Sequence, residues 1–96
     1  MSENENTVFV GTKPITSYVM AVVTQFNQSS SDTITIKARG RAISRAVDVA
    51  EVLRKRFMQG QVEIESIKTD TEQITTREGQ RSNVSAIEIT MKKIKK

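Results

Sequence analysis

Two periods in the spacing of apolar residues divide the chain into strands and helices. The run TVFV at residues 7–10 is rich in β-branched and aromatic side chains and ends at Gly11, so it predicts a short buried strand. The run TITIK at residues 33–37 alternates polar with apolar side chains and predicts a second strand. After each strand, apolar residues recur every three or four positions, which predicts a helix.

The first predicted helix begins near Pro14, a residue that suits a first helical turn. We expect Tyr18 to lie in its core-facing stripe rather than to stack on a nucleic-acid base, because one tyrosine at helical spacing is weak evidence for stacking. The whole stripe consists of Ile15, Tyr18, Val19, Val22, Val23 and Phe26.

The second predicted helix has a similar stripe and a basic last turn. Arg54, Lys55 and Arg56 fall where cations complement the helix dipole, and Gly60 is placed as a carboxyl-terminal cap. Phe57 ends the stripe beside these cations. It either packs in the core or forms a contact between subunits, and the sequence leaves both interpretations open. The stripe consists of Ile43, Ala46, Val47, Ala50, Leu53 and Phe57.

Beyond Gly60 the helical period disappears, and two alternating segments predict a long β-hairpin with its turn near residues 78–80. The phase of the first segment slips between Ile64 and Ile67, which indicates a bulge. The predicted order is β-α-β-α-β-β, an α+β two-layer sandwich in which helices cross between neighbouring strands and pack on the sheet. The facing apolar residues are Val62, Ile64 and Ile67 on one strand and Ile87, Ile89 and Met91 on the other.

Length and charge fit one small basic domain. The chain has 96 residues, with 15 Lys and Arg against 11 Asp and Glu and a net charge of +4. We assign residues 7–96 to a single domain and expect the polar start, residues 1–6, to be flexible. A basic body favours phosphate-bearing partners. Lys92, Lys93, Lys95 and Lys96 predict a frayed electrostatic tail.

The residue types that are missing narrow the possible functions. The chain has no cysteine and no histidine, which excludes disulfides and thiolate metal sites and removes the usual general base. We therefore expect neither an enzyme nor a cofactor or metal. No apolar run approaches the roughly 20 residues that span a bilayer. We expect a soluble cytoplasmic protein with no membrane partner.

Basic residues occupy both predicted strand-to-helix turns. Lys13 stands at the start of the first helix, where free backbone N–H groups attract anions. Arg39, Gly40 and Arg41 form the turn into the second helix, and glycine lets the backbone approach a ligand closely. If the two strands are parallel, both turns lie at one edge of the sheet and form a phosphate-binding surface. The alternative is ordinary solvated charge. Lys37 and Arg45 are expected to widen the surface.

The hairpin tip is the third candidate site. Residues 69–82, TDTEQITTREGQRS, contain Ile74 as the only large apolar side chain, so we expect this part to project from the body. Strands of about 15 residues reach roughly 50 Å, whereas a compact body of this size is roughly 30 Å across. Arg77 and Arg81 flank the turn, and basic arms of this kind enter DNA minor grooves. The alternative is a flexible arm that takes no part in binding.

Two long segments carry a resemblance to a known family. They are VFVGTKPITSYVMAVVTQFNQ at residues 8–28 and ITIKARGRAISRAVDVAEVLRKRF at residues 34–57. Both resemble the Alba family of small archaeal chromatin proteins. The resemblance runs from about Thr7 to Lys93 and implies the fold of the carboxyl-terminal domain of bacterial translation initiation factor three. It also implies a homodimer whose two arms straddle double-stranded DNA, binding of DNA and RNA with little sequence preference, and chromosome compaction by neighbouring dimers. The expected location is the nucleoid.

The resemblance also assigns roles to individual residues. The DNA-contacting lysine pair of the first loop falls on Thr12 and Lys13, so this chain keeps one lysine of the two. Lys13 is then the acetylation candidate in this loop, with a deacetylase and an acetyltransferase as further partners.

The remaining contacts of the family fall on the second turn, the arm and the second helix. The basic turn is intact at Lys37, Arg39 and Arg41. The arm arginines fall near Arg77 and Arg81, and the aromatic contact between dimers falls on Phe57.

The leading hypothesis is a DNA-coating architectural protein, and two alternatives stand beside it. One is an RNA-directed role, as an RNA chaperone or a ribonucleoprotein subunit. The other is a nuclease that uses Asp48 and Glu51, which lie one helical turn apart on the polar face of the second helix. For these two carboxylates a solvated or ion-paired surface is the favoured interpretation.

Overall fold

The computed structural model describes residues 6–94, and its element order is the predicted β-α-β-α-β-β. A 3₁₀ turn, Gly40–Ala42, precedes the second helix, and a π-helical turn, Leu53–Phe57, extends it. The expected flexible start through residue 5 and the last two lysines lie outside the described residues. The elements are β1 Thr7–Phe9, α1 Ile15–Gln28, β2 Thr33–Arg39, α2 Ile43–Val52, β3 Val62–Thr75 and β4 Arg81–Lys93.

One sheet holds all four strands in the order β1-β2-β4-β3. β1 and β2 pair in parallel, as predicted, and the other two pairings are antiparallel. The prediction that helices link neighbouring strands is wrong for α2, because β4 lies between β2 and β3. β4 carries the buried Ile87, Ile89 and Met91, whereas most of β3 is exposed, so burial explains why β4 takes the inner position.

Both helices pack on one face of the sheet and form a two-layer structure. β2 alternates strictly, with Ile34, Ile36 and Ala38 buried beneath the helices. The opposite face, here called the outer face, carries Phe9 of β1, the alternate residues of β2 from Thr33 to Arg39, and Glu88 of β4. α1 buries Tyr18, Val19, Val22 and Phe26, which confirms its predicted stripe.

Two predictions for α2 need correction, the place of Val47 in its stripe and the role of Gly60 as its cap. Val47 is exposed, and Val49 is fully buried in its place, because the core-facing spacing runs through 46, 49, 50 and 53. Phe57 is 46% exposed at the end of the π-helical turn. Gly60 does not cap α2 directly. It has a φ of 76° in the connection that leads to β3.

β1 is buried on one face only, which corrects the sequence prediction. Val8 and Val10 lie in the core, but Phe9 is 55% exposed. β1 is an edge strand and the helices cover a single face of the sheet, so Phe9, its last residue, lies on the outer face. The sequence also predicts a flexible start through Asn6, yet the Asn6 carbonyl accepts a 2.8 Å hydrogen bond from Thr35 N–H of β2.

The hairpin of β3 and β4 extends well beyond the other strands. Its register shifts between Ile64 and Ser66, within the predicted interval, and Gly79 has a φ of 84° in the predicted turn. β2 ends at Arg39, opposite Ala86 of β4. Past this point, residues 71–85 form a two-stranded ribbon, here called the arm. The long axis of the molecule is 50 Å, against 27 and 23 Å for the others.

Candidate nucleic-acid interface

The loop between β1 and α1 is held by the hydroxyl of Tyr18. Backbone N–H groups of Gly11 and Lys13 donate to this oxygen over 2.9 and 3.0 Å. A Cβ on residue 11 would lie 3.3 Å from the same oxygen, which explains the glycine. Tyr18 is therefore a core residue, as predicted, whose polar end shapes the first basic turn. The Lys13 residue itself stays exposed.

Arg45 joins the two strand-to-helix turns. It projects from the first turns of α2, and its Nε donates to the Gly11 carbonyl over 2.8 Å. Its Nη2 donates to the Lys13 carbonyl. Arg45 was expected to widen the phosphate surface, but two of its N–H groups already donate to carbonyls of the first loop. A phosphate contact by Arg45 stays a prediction, and the structure adds a role in positioning the loop.

The second basic turn is open to solvent. Arg39 is the last residue of β2, and Arg41 lies in the 3₁₀ turn that follows. Gly40 between them has a φ of 53°, and a Cβ there would meet no atom within 4 Å. Backbone conformation rather than lack of space therefore calls for glycine. Lys13, Arg39 and Arg41 are together called the basic edge, because both turns lie at the carboxyl ends of the parallel pair.

Two carboxylates that the sequence did not single out lie beside the basic residues. Arg39 Nε is 2.7 Å from Glu72 Oε1, which belongs to the arm. Lys37 Nζ is 3.8 Å from Glu88 Oε2 and 5.8 Å from the centre of the Phe9 ring. Any phosphate that binds Arg39 or Lys37 has to compete with these partners. The sheet register explains the second pair, since Lys37 stands directly opposite Glu88.

The arm leaves the sheet at the same end as the basic edge. β4 runs from Arg81 to Ala86 before it meets the end of β2 at Arg39, and five residues of strand span about 17 Å. Arg81 stands opposite Thr75, and Arg77 lies in the turn between the strands. Both arginines are exposed. The predicted cations of the arm and of the two turns therefore lie toward one end of the molecule.

The lysines near the carboxyl terminus are partly structural. The predicted frayed tail is wrong for Lys92 and Lys93, because β4 continues through both. Lys92 Nζ is 3.6 Å from Glu65 Oε2. Lys93 Nζ donates to the Phe26 carbonyl over 3.2 Å.

Nothing in the described structure favours a metal-dependent nuclease. Glu51 accepts hydrogen bonds from Arg54, with Nε at 2.7 Å, and lies 3.5 Å from Lys55 Nζ. These contacts confirm the ion-paired interpretation of Glu51, and the hydrogen bond from Arg54 lowers the pKa of its carboxyl. Residues 6–94 contain no group of three or more acidic side chains placed to hold a metal ion. Within the same range, neither helix is long and apolar enough to cross a membrane.

The sequence profile of the Alba family matches residues 6–71. The chain belongs to the Alba family. Alba 1 of Archaeoglobus fulgidus, described as a DNA/RNA-binding protein, is 58% identical over 89 residues, which cover 93% of this chain and 97% of that protein. The DNA/RNA-binding Alba of Methanocella arvoryzae is 54% identical and covers 93% of this chain and 91% of its own length.

Solved Alba structures share the fold. Alba from Thermoplasma volcanium superposes with a TM-score of 0.82 at 52% identity, and the match covers 91% of this chain and 99% of that one. ALBA1 from Trypanosoma brucei superposes with a TM-score of 0.76 at 25% identity, covering 96% of this chain and 72% of that one. The predicted resemblance and fold class are confirmed.

Proposed function

We propose that the protein is a homodimeric chromatin protein of the nucleoid that coats and compacts DNA, binds RNA as well, and catalyses no reaction. The observation that carries this proposal is the position of the arm, which extends from the same end of the sheet as the basic edge. The names of the archaeal relatives, DNA/RNA-binding proteins, agree with it.

The chemistry of this end suits a phosphate backbone. Lys13, Arg39 and Arg41 are exposed cations on backbone turns, and such groups bind phosphates without reading bases. Arg77 and Arg81 lie about 17 Å or more past the end of β2, far enough for the arm to enter a minor groove. Since minor-groove contacts discriminate poorly between base pairs, this arrangement favours binding with little sequence preference.

Exposed apolar side chains support self-association. Val47 of α2 is 41% exposed and Ile67 of β3 is 56% exposed, and both lie on the side of the sheet that carries the helices. A small domain gains stability when such groups are covered by a second subunit. We assign this side to the dimer interface. Phe57, at the far end of α2 from the basic edge, is then available for contact between neighbouring dimers.

Lys13 is the proposed point of regulation. Acetylation removes the charge of a lysine and with it a phosphate contact. Thr12 in the preceding position has no charge to compensate for that loss. An acetyltransferase and a deacetylase acting on Lys13 would then control affinity for DNA.

The salt dependence of duplex binding tests the proposal. If each dimer neutralises about six phosphates, the logarithm of the association constant falls against the logarithm of salt concentration with a slope near −5. Fluorescence anisotropy with two duplexes of unrelated sequence gives this slope, and both duplexes should give the same value. An affinity that stays constant from low to moderate salt would contradict the proposal.

A second candidate, an RNA-directed role as an RNA chaperone or a ribonucleoprotein subunit, is favoured by one observation. Phe9 is an exposed aromatic on the outer face, and exposed aromatics are the usual platforms for unpaired bases. Competition between double-stranded DNA and a structured RNA for the same protein distinguishes the two roles. Preferential retention of the RNA at equal concentration would favour the second.

A further inference from the structure

Phe9 is the one aromatic ring on the described outer face, and it is 55% exposed. It ends β1, directly before the loop that carries Lys13, and Lys37 Nζ lies 5.8 Å from the ring centre. The ring adds little to the core, because its neighbours Val8 and Val10 supply the buried contacts of this strand. Packing of the core therefore does not require an aromatic residue at this exposed position.

A cavity of about 590 Å³ opens beside this ring. Its size lies within the usual range of ligand pockets, about 300–1,000 Å³. Gly11 and Arg39 line it on the side of the basic edge, while Glu72 and Glu88 line it on the sheet and arm. It thus adjoins the proposed phosphate surface and shares Arg39 with it.

The charges around the cavity select the kind of ligand. Lys37 faces Glu88, and Arg39 faces Glu72, so the acids and bases that line it are paired. Because each of these carboxylates is paired with a cation, the four groups carry no net charge and the cavity has no preference for an anion. A nucleobase is uncharged, presents a flat aromatic face for stacking on a ring, and carries polar edges for hydrogen bonding. Its attached phosphate can reach the exposed cations of the basic edge.

We propose that this cavity holds an unpaired base stacked on Phe9, with the adjoining phosphates on the basic edge, so that the protein binds single-stranded nucleic acid in a mode separate from duplex binding. This proposal depends on the proposed function in one respect, since both place phosphates on the basic edge. A base paired in a duplex is already stacked on both sides, so it cannot use the ring. Single-stranded RNA and DNA share the required chemistry.

Phe9→Leu is the test, because leucine keeps the apolar bulk and removes the aromatic face. Anisotropy is measured with unstructured pyrimidine strands of ~8 nucleotides, one RNA and one DNA, and with a duplex. Loss of one stacked base should weaken single-strand binding by about fivefold or more. Duplex affinity should stay unchanged, and Phe9→Tyr should retain single-strand binding. An effect on only one of the two strands would identify RNA or DNA as the ligand.

A strand with abasic sites provides the second comparison. It keeps the phosphates and lacks the bases, so the wild-type protein should bind it as weakly as Phe9→Leu binds the normal strand. Phe9→Leu should show no further loss on the abasic strand. Met20→Leu, a matched change at an exposed apolar residue of α1, should leave all affinities unchanged.

Three results would overturn the proposal. They are unchanged single-strand affinity in Phe9→Leu, an equal loss for strand and duplex, and a change in oligomeric mass, which would make the ring part of a subunit interface. Failure of the proposed function is distinguishable, because absent duplex binding together with single-strand binding that depends on Phe9 would contradict only the chromatin role.

Discussion

Arg39 Nε lies 2.7 Å from Glu72 Oε1, so an ion pair joins the basic edge to the arm. Their side chains are 62% and 41% exposed, and exposed pairs of this kind are worth about 0–1 kcal/mol. A phosphate can therefore displace the carboxylate at small cost. The pair joins the arm to β2, and under the proposed function it competes with nucleic acid for Arg39.

Glu72→Gln should strengthen duplex binding by up to about fivefold, because Arg39 loses a competitor worth at most about 1 kcal/mol. Anisotropy at fixed salt measures the change. Glu63→Gln, at the opposite end of β3, changes the net charge equally and is the matched control. An equal gain in both variants would show an effect of net charge alone, and weaker binding in Glu72→Gln would contradict the prediction.

Arg45→Lys should weaken duplex binding by about fivefold although it keeps the charge, since an ammonium lacks the planar fork that bridges the carbonyls of Gly11 and Lys13. The slope against salt should not change, because no phosphate contact is lost. Arg41→Lys, in the neighbouring turn, should bind nearly as the wild type does. Full affinity in Arg45→Lys would show that Arg45 acts only as a charge.

Tyr18→Phe should lower the free energy of unfolding by about 1–2 kcal/mol, because the backbone N–H groups of Gly11 and Lys13 lose their acceptor. Urea unfolding measures the loss, and amide hydrogen exchange should accelerate at these two positions. Thr24→Ala, at an exposed hydroxyl on the same helix, is the control. Unchanged exchange in the loop would contradict the positioning role of Tyr18.

Lys13→Gln should weaken binding to unrelated duplexes alike and reduce the slope against salt by about 1, the effect of one lost phosphate contact. Lys13→Arg keeps the charge and should retain both affinity and slope. A loss confined to one duplex sequence would indicate base recognition and contradict the prediction.

Replacing both Arg77 and Arg81 with alanine should weaken duplex binding and leave the oligomeric mass unchanged, because both residues lie on the exposed arm. The slope against salt should become less steep by up to about 2 for each arm. Light scattering checks the mass and anisotropy the affinity. Unchanged affinity would show that the arm takes no part in binding.

Periodicity predicts most of the fold. The stripe of α1 and the alternation of β2 each repeat over several residues, so the sequence alone reveals them. The slip before Ile67 is visible because it interrupts such an alternation. β1 is too short for this, since its three residues TVF show no alternation. The exposure of Phe9 depends on which face of the sheet the helices cover, and the sequence of β1 does not contain that information. The local sequence pattern likewise does not predict that β4 lies between β2 and β3.

The sequence singles out the cations of the candidate site and gives no sign of the residues that contact them. Lys13, Arg39 and Arg41 stand out because they occupy turns next to glycine or proline. The bonds from Arg45 to the first loop join residues more than 30 positions apart, and the Arg39 pair joins β2 to the arm. Such contacts leave no signal in one sequence, because neither partner shows a local pattern that points to the other.

The arm lacks both a third strand and a covering helix, so water reaches its inter-strand hydrogen bonds from either side. Local opening there costs far less than unfolding of the body, and the ribbon can bend while the helices and the sheet stay rigid. Groove width in DNA varies with base composition. Under the proposed function, a compliant ribbon on a rigid body adapts to that variation, and one short chain then occupies successive stretches of a genome without selecting among them.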